Sequence, residues 1–180
     1  MSRSLVSFVA THEFFTIIVI NLNRIQPELF VGTCPRTPID VDLLKSGPRI
    51  TAVLNLQTDE DFVNQELDWQ TVRHHYLARD LVITRWPIRD FDPLDLRRRL
   101  VGAVEQLQTL LSAGHRVYLH CTAGVGRAPG VAIAYLSWIQ GWDLEQAHRF
   151  VTERRACAPY IEAIREATAD RETTTDTAGA

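Results

Sequence analysis

The sequence predicts a single α/β domain with a central, largely parallel sheet flanked by helices. Short apolar runs of strand length, at residues 49–56 and 116–119, alternate with segments of helical periodicity. A glycine-rich loop then joins the second run to an apolar run of helical length. We call residues 121–127 the Cys121 loop. Because ligands of open α/β sheets bind at the carboxyl ends of strands, we expect the functional site there.

Length and composition set the limits of this domain. The 180 residues are 46% hydrophobic, which suits one domain with a substantial core. We expect an N-terminal arm over residues 1–13, a folded domain over 14–169, and a disordered, threonine-rich tail over 170–180. The net charge of −3 argues against a nucleic-acid partner. The apolar run at 14–20 is too short to span a membrane and is predicted to be a strand.

The first half of the domain is predicted to alternate strands with capped helices. Thr37 is a suitable helix cap, and Pro38 suits the first helical turn. The expected elements are a strand ending at Gly32, a helix from Pro38 to about Gly47, a strand over residues 49–56, and a short helix capped by Thr58.

The second half is predicted to be mostly helical. One buried helical face is indicated by Leu96, Leu100, Val104, Leu107 and Leu111. The expected elements are strands over residues 72–77 and 82–87, a helix after Asp92, a strand over 116–119, a helix from Pro129 to Gly141, a helix capped by Asp143, and a last helix over 159–169.

The Cys121 loop has the composition of a phosphate site with a nucleophile. Backbone N–H groups of Thr122, Ala123, Gly124, Val125 and Gly126 can point at one anion, and the dipole of the following helix adds positive potential. A cysteine in such surroundings loses its proton more easily than a free cysteine. Arg127 can hold two oxygens of a tetrahedral anion. The alternative, a cysteine that merely ends a core strand, leaves the glycines and the arginine unexplained.

This loop, with His120 before it, resembles the signature loop of the cysteine-dependent protein tyrosine phosphatases, in their dual-specificity branch. The resemblance implies that Cys121 attacks phosphorus and that Arg127 and the loop amides bind the phosphoryl oxygens. His120 is expected to bond to backbone beneath the loop and order it, a supporting role rather than that of a base.

Cleavage of a phosphate ester also needs a proton for the leaving oxygen. The resemblance places the general acid in a loop before the helix that leads to the signature strand, where Asp90 stands. Asp92 is the rival. We favour Asp90, because a capping role would turn the Asp92 carboxylate toward its own backbone. An ordinary solvated loop acid is the alternative interpretation of Asp90.

Within that branch, the chain most resembles the glucan phosphatases, laforin and the plant starch-excess type. The likeness lies in the Cys121 loop with Ala128 and Pro129, and in further segments: Val31-Gly32-Thr33, Leu54-Asn55-Leu56-Gln57, Arg89-Asp90-Phe91-Asp92, and Cys157 through Arg165. It implies that Phe91 contacts glucan. Packing of the Asp90 segment against the core is the alternative for Phe91. Core packing is also the expected role of most of Trp69, Trp86, Trp138 and Trp142.

The remaining histidines and cysteines indicate neither a metal site nor disulfides. His74 and His75 are adjacent, so on a strand they would face opposite ways, and no cysteine pair accompanies them. Three scattered cysteines, Cys34, Cys121 and Cys157, suit a reducing compartment, and we expect the cytoplasm. No cofactor is expected, and the oligomeric state is left open.

The sequence therefore predicts a cysteine-dependent phosphatase that forms a phosphocysteine intermediate, with phosphorylated glucan of the starch or glycogen type as its substrate. A phosphoprotein substrate for the same chemistry is the first alternative. A weakly active phosphate-binding module is the second, although a pure binder has no use for a thiol.

Overall fold

A five-stranded sheet forms the centre of the computed structural model, which describes residues 20–178, with side chains to residue 173. The strands are β1 Leu22–Gln26, β2 Leu29–Gly32, β3 Ala52–Asn55, β4 Val82–Arg85 and β5 Val117–His120. Their order in the sheet is β1-β2-β5-β3-β4. The pairs β2–β5, β5–β3 and β3–β4 are parallel, and β1 runs antiparallel to β2. The predicted largely parallel sheet is confirmed.

Helices cover both faces of this sheet. Alternate strand residues point to opposite faces, so Leu54 and Leu119 pack on one side, whereas Val53 and Tyr118 pack on the other. The helices are α1 Pro38–Ser46, α2 Asp59–Asn64, α3 Trp69–Leu77, α4 Pro93–Ser112, α5 Arg127–Trp138, α6 Leu144–Arg154 and α7 Ile161–Ala178. The first side of the sheet carries α4 to α7, and the second side carries α1 to α3.

The predicted helix starts at Thr37 and Thr58 are confirmed, and both caps are reciprocal. The Thr37 hydroxyl accepts from the backbone N–H of Asp40, whose carboxylate accepts from the backbone N–H of Thr37. Thr58 and Asp61 make the same pair of bonds at α2. Since α2 follows β3 so closely, its first turn lies beside the carboxyl end of the sheet.

The predicted strand over residues 72–77 is wrong, because this segment belongs to α3. The Asp68 carboxylate accepts a 2.7 Å hydrogen bond from the backbone N–H of Thr71 and starts the helix. Val72 and Tyr76, four residues apart, are both buried on the same helical face. Tertiary packing of that face outweighs the strand preference of the short apolar run.

The predicted tail begins within a helix, because α7 continues to Ala178. Arg97 of α4 pairs with both Glu166 and Asp170, at 2.8 and 2.7 Å. These two carboxylates lie four residues apart and therefore on one face of α7. The predicted arm over residues 1–13 and the strand predicted for 14–20 lie outside the described residues, apart from Ile20, so the arm remains a prediction.

No helix within residues 20–178 is long and apolar enough to cross a membrane.

Trp86, just after β4, fixes the segment that leads to Asp90. Its indole N–H donates to the carbonyl of Arg99, and its ring lies against Gly102 of α4. A Cβ atom at Gly102 would overlap that ring. Glycine is therefore required at this point of α4 despite its unfavourable helix propensity.

We predict that Gly102→Ala lowers the free energy of unfolding by about 1–3 kcal/mol, because the indole must move. Gly130→Ala in α5 is the matched control, since a Cβ there would make only ordinary contacts with Leu96 and Ile164. That variant should be neutral or up to about 1 kcal/mol more stable. Urea unfolding measures both, and a stabilised Gly102→Ala would contradict the packing described.

Candidate active site

The Cys121 loop connects the central strand β5 to the start of α5. Gly124 has a φ of +65°, a left-handed conformation that glycine adopts without strain. The N-cap of α5 is Gly126, and no side chain caps the helix. The backbone N–H groups of the first turn are thus not occupied by a capping side chain and can bind an anion.

Cys121 is only 2% exposed and belongs to the same hydrophobic cluster as Leu119 and Ala128. It therefore lies at the base of the loop, whereas Ala123 and Val125 are exposed at its rim. A nucleophile in this position can be reached only by a group small enough to enter the loop.

Arg127 is the residue on which the loops around the site converge. Arg127 is only 1% exposed, and its guanidinium makes hydrogen bonds or ion pairs with four residues. The partners are the Asp61 carboxylate at 2.7 and 3.1 Å, the Ile88 carbonyl at 2.9 Å, the Thr122 hydroxyl at 3.2 Å and the Asp90 carboxylate at 2.8 Å. Its buried Nε makes no hydrogen bond to any residue that the structure describes, which leaves one donor for an oxyanion.

The sequence interpretation missed Asp61 as a site residue. Burial alone would raise the pKa of the Asp61 carboxyl, but hydrogen bonds from Arg127 and Thr58 hold that pKa below its usual value. Its charged carboxylate fixes the guanidinium through two bonds. The only signal in the sequence was the capping box, which explains this acid by helix capping and gives no hint of a second partner.

Asp90, in the loop between β4 and α4, also contacts Arg127. We call residues 86–92 the Asp90 loop. The Asp90 side chain is 32% exposed, with Oδ2 on Arg127 and Oδ1 accepting from the backbone N–H of Phe91. Asp92 instead accepts from the backbone N–H of Asp95, 2.9 Å away, as the N-cap of α4. The predicted capping role of Asp92 is confirmed, and acid catalysis by Asp90 stays a prediction.

His120 lies beneath the loop and is fully buried. Its Nδ1 is 3.0 Å from the Cys121 carbonyl oxygen and its Nε2 is 3.1 Å from the Tyr76 hydroxyl. Burial lowers the pKa of His120 to about 4, so the ring is neutral near pH 7. Since a carbonyl only accepts, Nδ1 carries the proton and Nε2 accepts from Tyr76. This geometry fits the expected loop-ordering role.

The Phe91 ring stands in solvent beside this site, at 85% exposure. Its φ of +54° is unusual for a bulky residue and directs the chain sharply between Asp90 and Asp92. The ring therefore does not pack the Asp90 loop against the core.

The tryptophans behave differently from Phe91. Trp86, Trp138 and Trp142 pack against the larger core cluster, and Trp69 packs against Phe62 with ring centroids 5.4 Å apart.

Other titratable groups do not compete with Cys121 as the nucleophile. Burial raises the pKa of the Cys34 thiol to about 11, so this residue stays protonated near pH 7. Burial also raises the pKa of Cys157. Over the described range of the chain, no three histidine, cysteine, aspartate or glutamate side chains gather as a metal site would require. His74 and His75 lie on α3 rather than on a strand.

Comparison with known proteins places this site in a family. Residues 29–166 match the family "Dual specificity phosphatase, catalytic domain". The amyloplastic phosphoglucan phosphatase DSP4 of Castanea sativa is 41% identical over 153 residues, which is 84% of this chain and 40% of that protein. The chloroplastic phosphoglucan phosphatase LSF1 of Arabidopsis thaliana is 37% identical over 148 residues, covering 82% and 25%. Mouse laforin is 31% identical over 153 residues, covering 79% and 46%.

The chain thus spans less than half the length of each of these three relatives. Solved structures agree on the fold. Kinase associated phosphatase superimposes with a TM-score of 0.71 at 17% identity, over 87% of this chain and 97% of that one. Tk-PTP in its active form has a TM-score of 0.67 at 21% identity, over 83% and 94%.

Replacing Asp61 tests whether its carboxylate orients the Arg127 guanidinium. We expect Asp61→Asn to lower kcat/KM for p-nitrophenyl phosphate about 100-fold, because a neutral amide no longer fixes the guanidinium. Asp40→Asn is the matched control, since Asp40 has the same position in the α1 capping box and bonds to Thr37 and Arg36. It should cost about 1 kcal/mol of stability and little activity. Equal losses of activity in both variants would contradict this role.

Proposed function

The chain belongs to the dual-specificity phosphatase family, and we propose that residues 14–169 are a catalytic domain that hydrolyses phosphate monoesters of glucans through a phosphocysteine on Cys121. The family match over residues 29–166 supports the chemistry. Sequence similarity to two phosphoglucan phosphatases and the exposed ring of Phe91 support the substrate.

In the first step, the Cys121 thiolate attacks phosphorus and the ester oxygen leaves. The N–H groups of residues 122–126 and the unoccupied Nε of Arg127 receive the equatorial oxygens. Asp90 gives its proton to the departing oxygen. Its partial exposure beside Arg127 supports this role, because a leaving group could reach the carboxyl.

In the second step, Asp90 takes a proton from the water that attacks the phosphorus of the phosphocysteine. The P–S bond breaks, which releases inorganic phosphate and leaves the sulfur as a thiolate. In the general dual-specificity pattern a serine or threonine after the arginine assists that departure, whereas here the position is Ala128, which is fully buried. The loop amides and the dipole of α5 therefore carry the stabilisation of the leaving thiolate.

The exposed ring of Phe91 is the structural observation that supports glucan as the substrate. A sugar presents apolar C–H groups on one face, and an aromatic ring in solvent can stack on them. Since Phe91 directly follows Asp90, stacking would align a glucose phosphate with the Cys121 loop. The ring gains no core packing in its present position, which leaves it available for contact with a ligand.

The compartment also belongs to this proposal. A working thiolate requires reducing surroundings, from which we infer the cytoplasm. Two of the relatives carry plastid designations in their names, amyloplastic and chloroplastic, so a reducing plastid compartment is the alternative.

A direct comparison of substrates tests the proposal. We expect faster phosphate release from solubilised phosphoglucan than from a panel of phosphotyrosine and phosphothreonine peptides, measured with malachite green. Cys121→Ser should abolish both activities while phosphate-ester binding persists. A preference for phosphopeptides would remove the glucan substrate and leave the phosphatase, and substantial activity in Cys121→Ser would refute the mechanism.

A leaving-group comparison separates Asp90 from Asp92. Asp90→Ala should slow phosphoglucan hydrolysis far more than that of an activated aryl phosphate, whose leaving group scarcely needs a proton. Asp92→Ala should mainly lower stability, by about 1 kcal/mol, through loss of the α4 cap. The assignment is wrong if Asp92→Ala shows the leaving-group dependence and Asp90→Ala does not.

A third comparison concerns Phe91. Phe91→Ala should reduce activity on phosphoglucan at least about tenfold more than on p-nitrophenyl phosphate, since a small ester has no sugar chain to orient. Leu94→Ala, which removes another exposed apolar side chain nearby in α4, is the control and should affect neither substrate. Equal losses on the two substrates in Phe91→Ala would exclude a glucan contact.

A further inference from the structure

Arg155 is a buried arginine beneath the Cys121 loop that the mechanism above does not use. It follows the last residue of α6 and is 3% exposed. Its guanidinium donates to five oxygens from the loop and from the β1–β2 hairpin. These acceptors are the backbone carbonyls of Ala123, Gly124 and Val31 and the side-chain amide oxygens of Asn21 and Asn23.

All five acceptors are neutral, and among the described residues no carboxylate pairs with Arg155. Burial lowers the pKa of this guanidinium, yet an arginine remains protonated in a protein. A buried cation without a counter-ion is costly unless its surroundings supply negative charge. Three ionisable side chains lie close enough to interact with its charge: Tyr118, Cys121 and Cys157. Of these, Cys121 is the proposed thiolate.

The bonds from Arg155 also orient the loop. In a trans peptide the C=O and the N–H point in opposite directions. Holding the carbonyls of Ala123 and Gly124 toward Arg155 therefore turns the N–H groups of Gly124 and Val125 the other way, toward the side on which we propose that the anion binds. A Cβ atom at Gly124 would collide with Arg155 and with the Gly32 carbonyl, so glycine permits this approach.

The charges on the opposite side of the site show why a second cation matters. Arg127 pairs with the buried Asp61 carboxylate through two bonds, so its positive charge is offset before any substrate binds. His120 is neutral, because burial lowers its pKa to about 4. Cys34, also near Cys121, is protonated, since burial raises its pKa to about 11. Apart from the α5 dipole, the uncompensated positive charge that the described residues place beside Cys121 is that of Arg155.

We propose that Arg155 is a positioning residue of the phosphate site, which aims the loop amides at the anion and supplies the uncompensated positive charge that favours the Cys121 thiolate. The proposal deepens the proposed function and rests on it. It assigns to the β1–β2 hairpin, through Asn21, Asn23 and Val31, the task of holding this cation in place.

Asn23→Asp tests the charge without moving the arginine. Aspartate has nearly the shape of asparagine, so it keeps the bond to Arg155 while neutralising it. The readout is the pH dependence of iodoacetamide alkylation of Cys121, followed on the isolated peptide by mass spectrometry. We expect the alkylation midpoint to rise by about one pH unit, which below that midpoint is about a tenfold slower reaction. Thermal melting should show that the fold persists.

Gln26→Glu is the matched control, because it adds the same charge to β1 at a side chain that bonds to Gln140 instead. Its alkylation midpoint should equal that of the wild type. A shift of the same size in both variants, or in neither, would overturn the electrostatic part of the proposal.

Arg155→Lys and Arg155→Met separate charge from geometry. Because lysine retains the charge, the alkylation midpoint of Arg155→Lys should lie closer to the wild-type midpoint than the midpoint of Arg155→Met does. Because neither side chain can bond to all five acceptors, kcat/KM should fall in both variants. Identical midpoints in these two folded variants would refute the role of the charge. Alkylation needs no substrate, so it tests the role of Arg155 separately from the proposed function. If the wild type were inactive on every phosphate ester but Asn23→Asp still shifted the midpoint, the proposed function would be refuted and the role of Arg155 would stand.

Discussion

The buried ion pair between Asp61 and Arg127 is the interaction on which the site depends. It joins α2, which follows β3, to the first residue of α5, and the same guanidinium binds Ile88 and Asp90 from the Asp90 loop. A buried ion pair contributes little net stability, because desolvation offsets the attraction. Its contribution here is geometric: it fixes the direction of Arg127, whose Nε bonds to none of the described residues and is the donor that we propose for the phosphoryl oxygens.

The local features of the structure were predictable, because they depend on residues close together in the chain. Thr37, Thr58 and Asp92 cap the helices expected of them, and the Cys121 loop lies between strand and helix. Contacts over long sequence separations were not predictable. Asp61 reaches Arg127 across 66 residues, and Arg155 reaches Asn23 across 132. No local pattern marks either partner.

The two errors in secondary structure have the same origin. Residues 72–77 read as a strand because alternation over a few residues is ambiguous, and only packing of Val72 and Tyr76 against the sheet selects a helix. Residues beyond Asp170 read as a tail because they lack large apolar side chains. Arg97 on α4 pairs with that end of α7 through its carboxylates, a contact that composition does not reveal.

Chemistry and specificity are separated in space. In the proposed function, Cys121, Arg127 and Arg155 act on the phosphate and are buried, whereas Phe91 contacts the glucan and is exposed. The central claim is that catalysis passes through a phosphocysteine on Cys121. It is tested most directly by acid-quenching the Asp90→Ala variant during turnover of an aryl phosphate and mapping covalent phosphate on its peptides. The aryl oxide leaves without a proton from Asp90, whereas the phosphocysteine then lacks the base for its hydrolysis and accumulates. The account predicts phosphate on Cys121; no covalent phosphate, or phosphate on another residue, would contradict it.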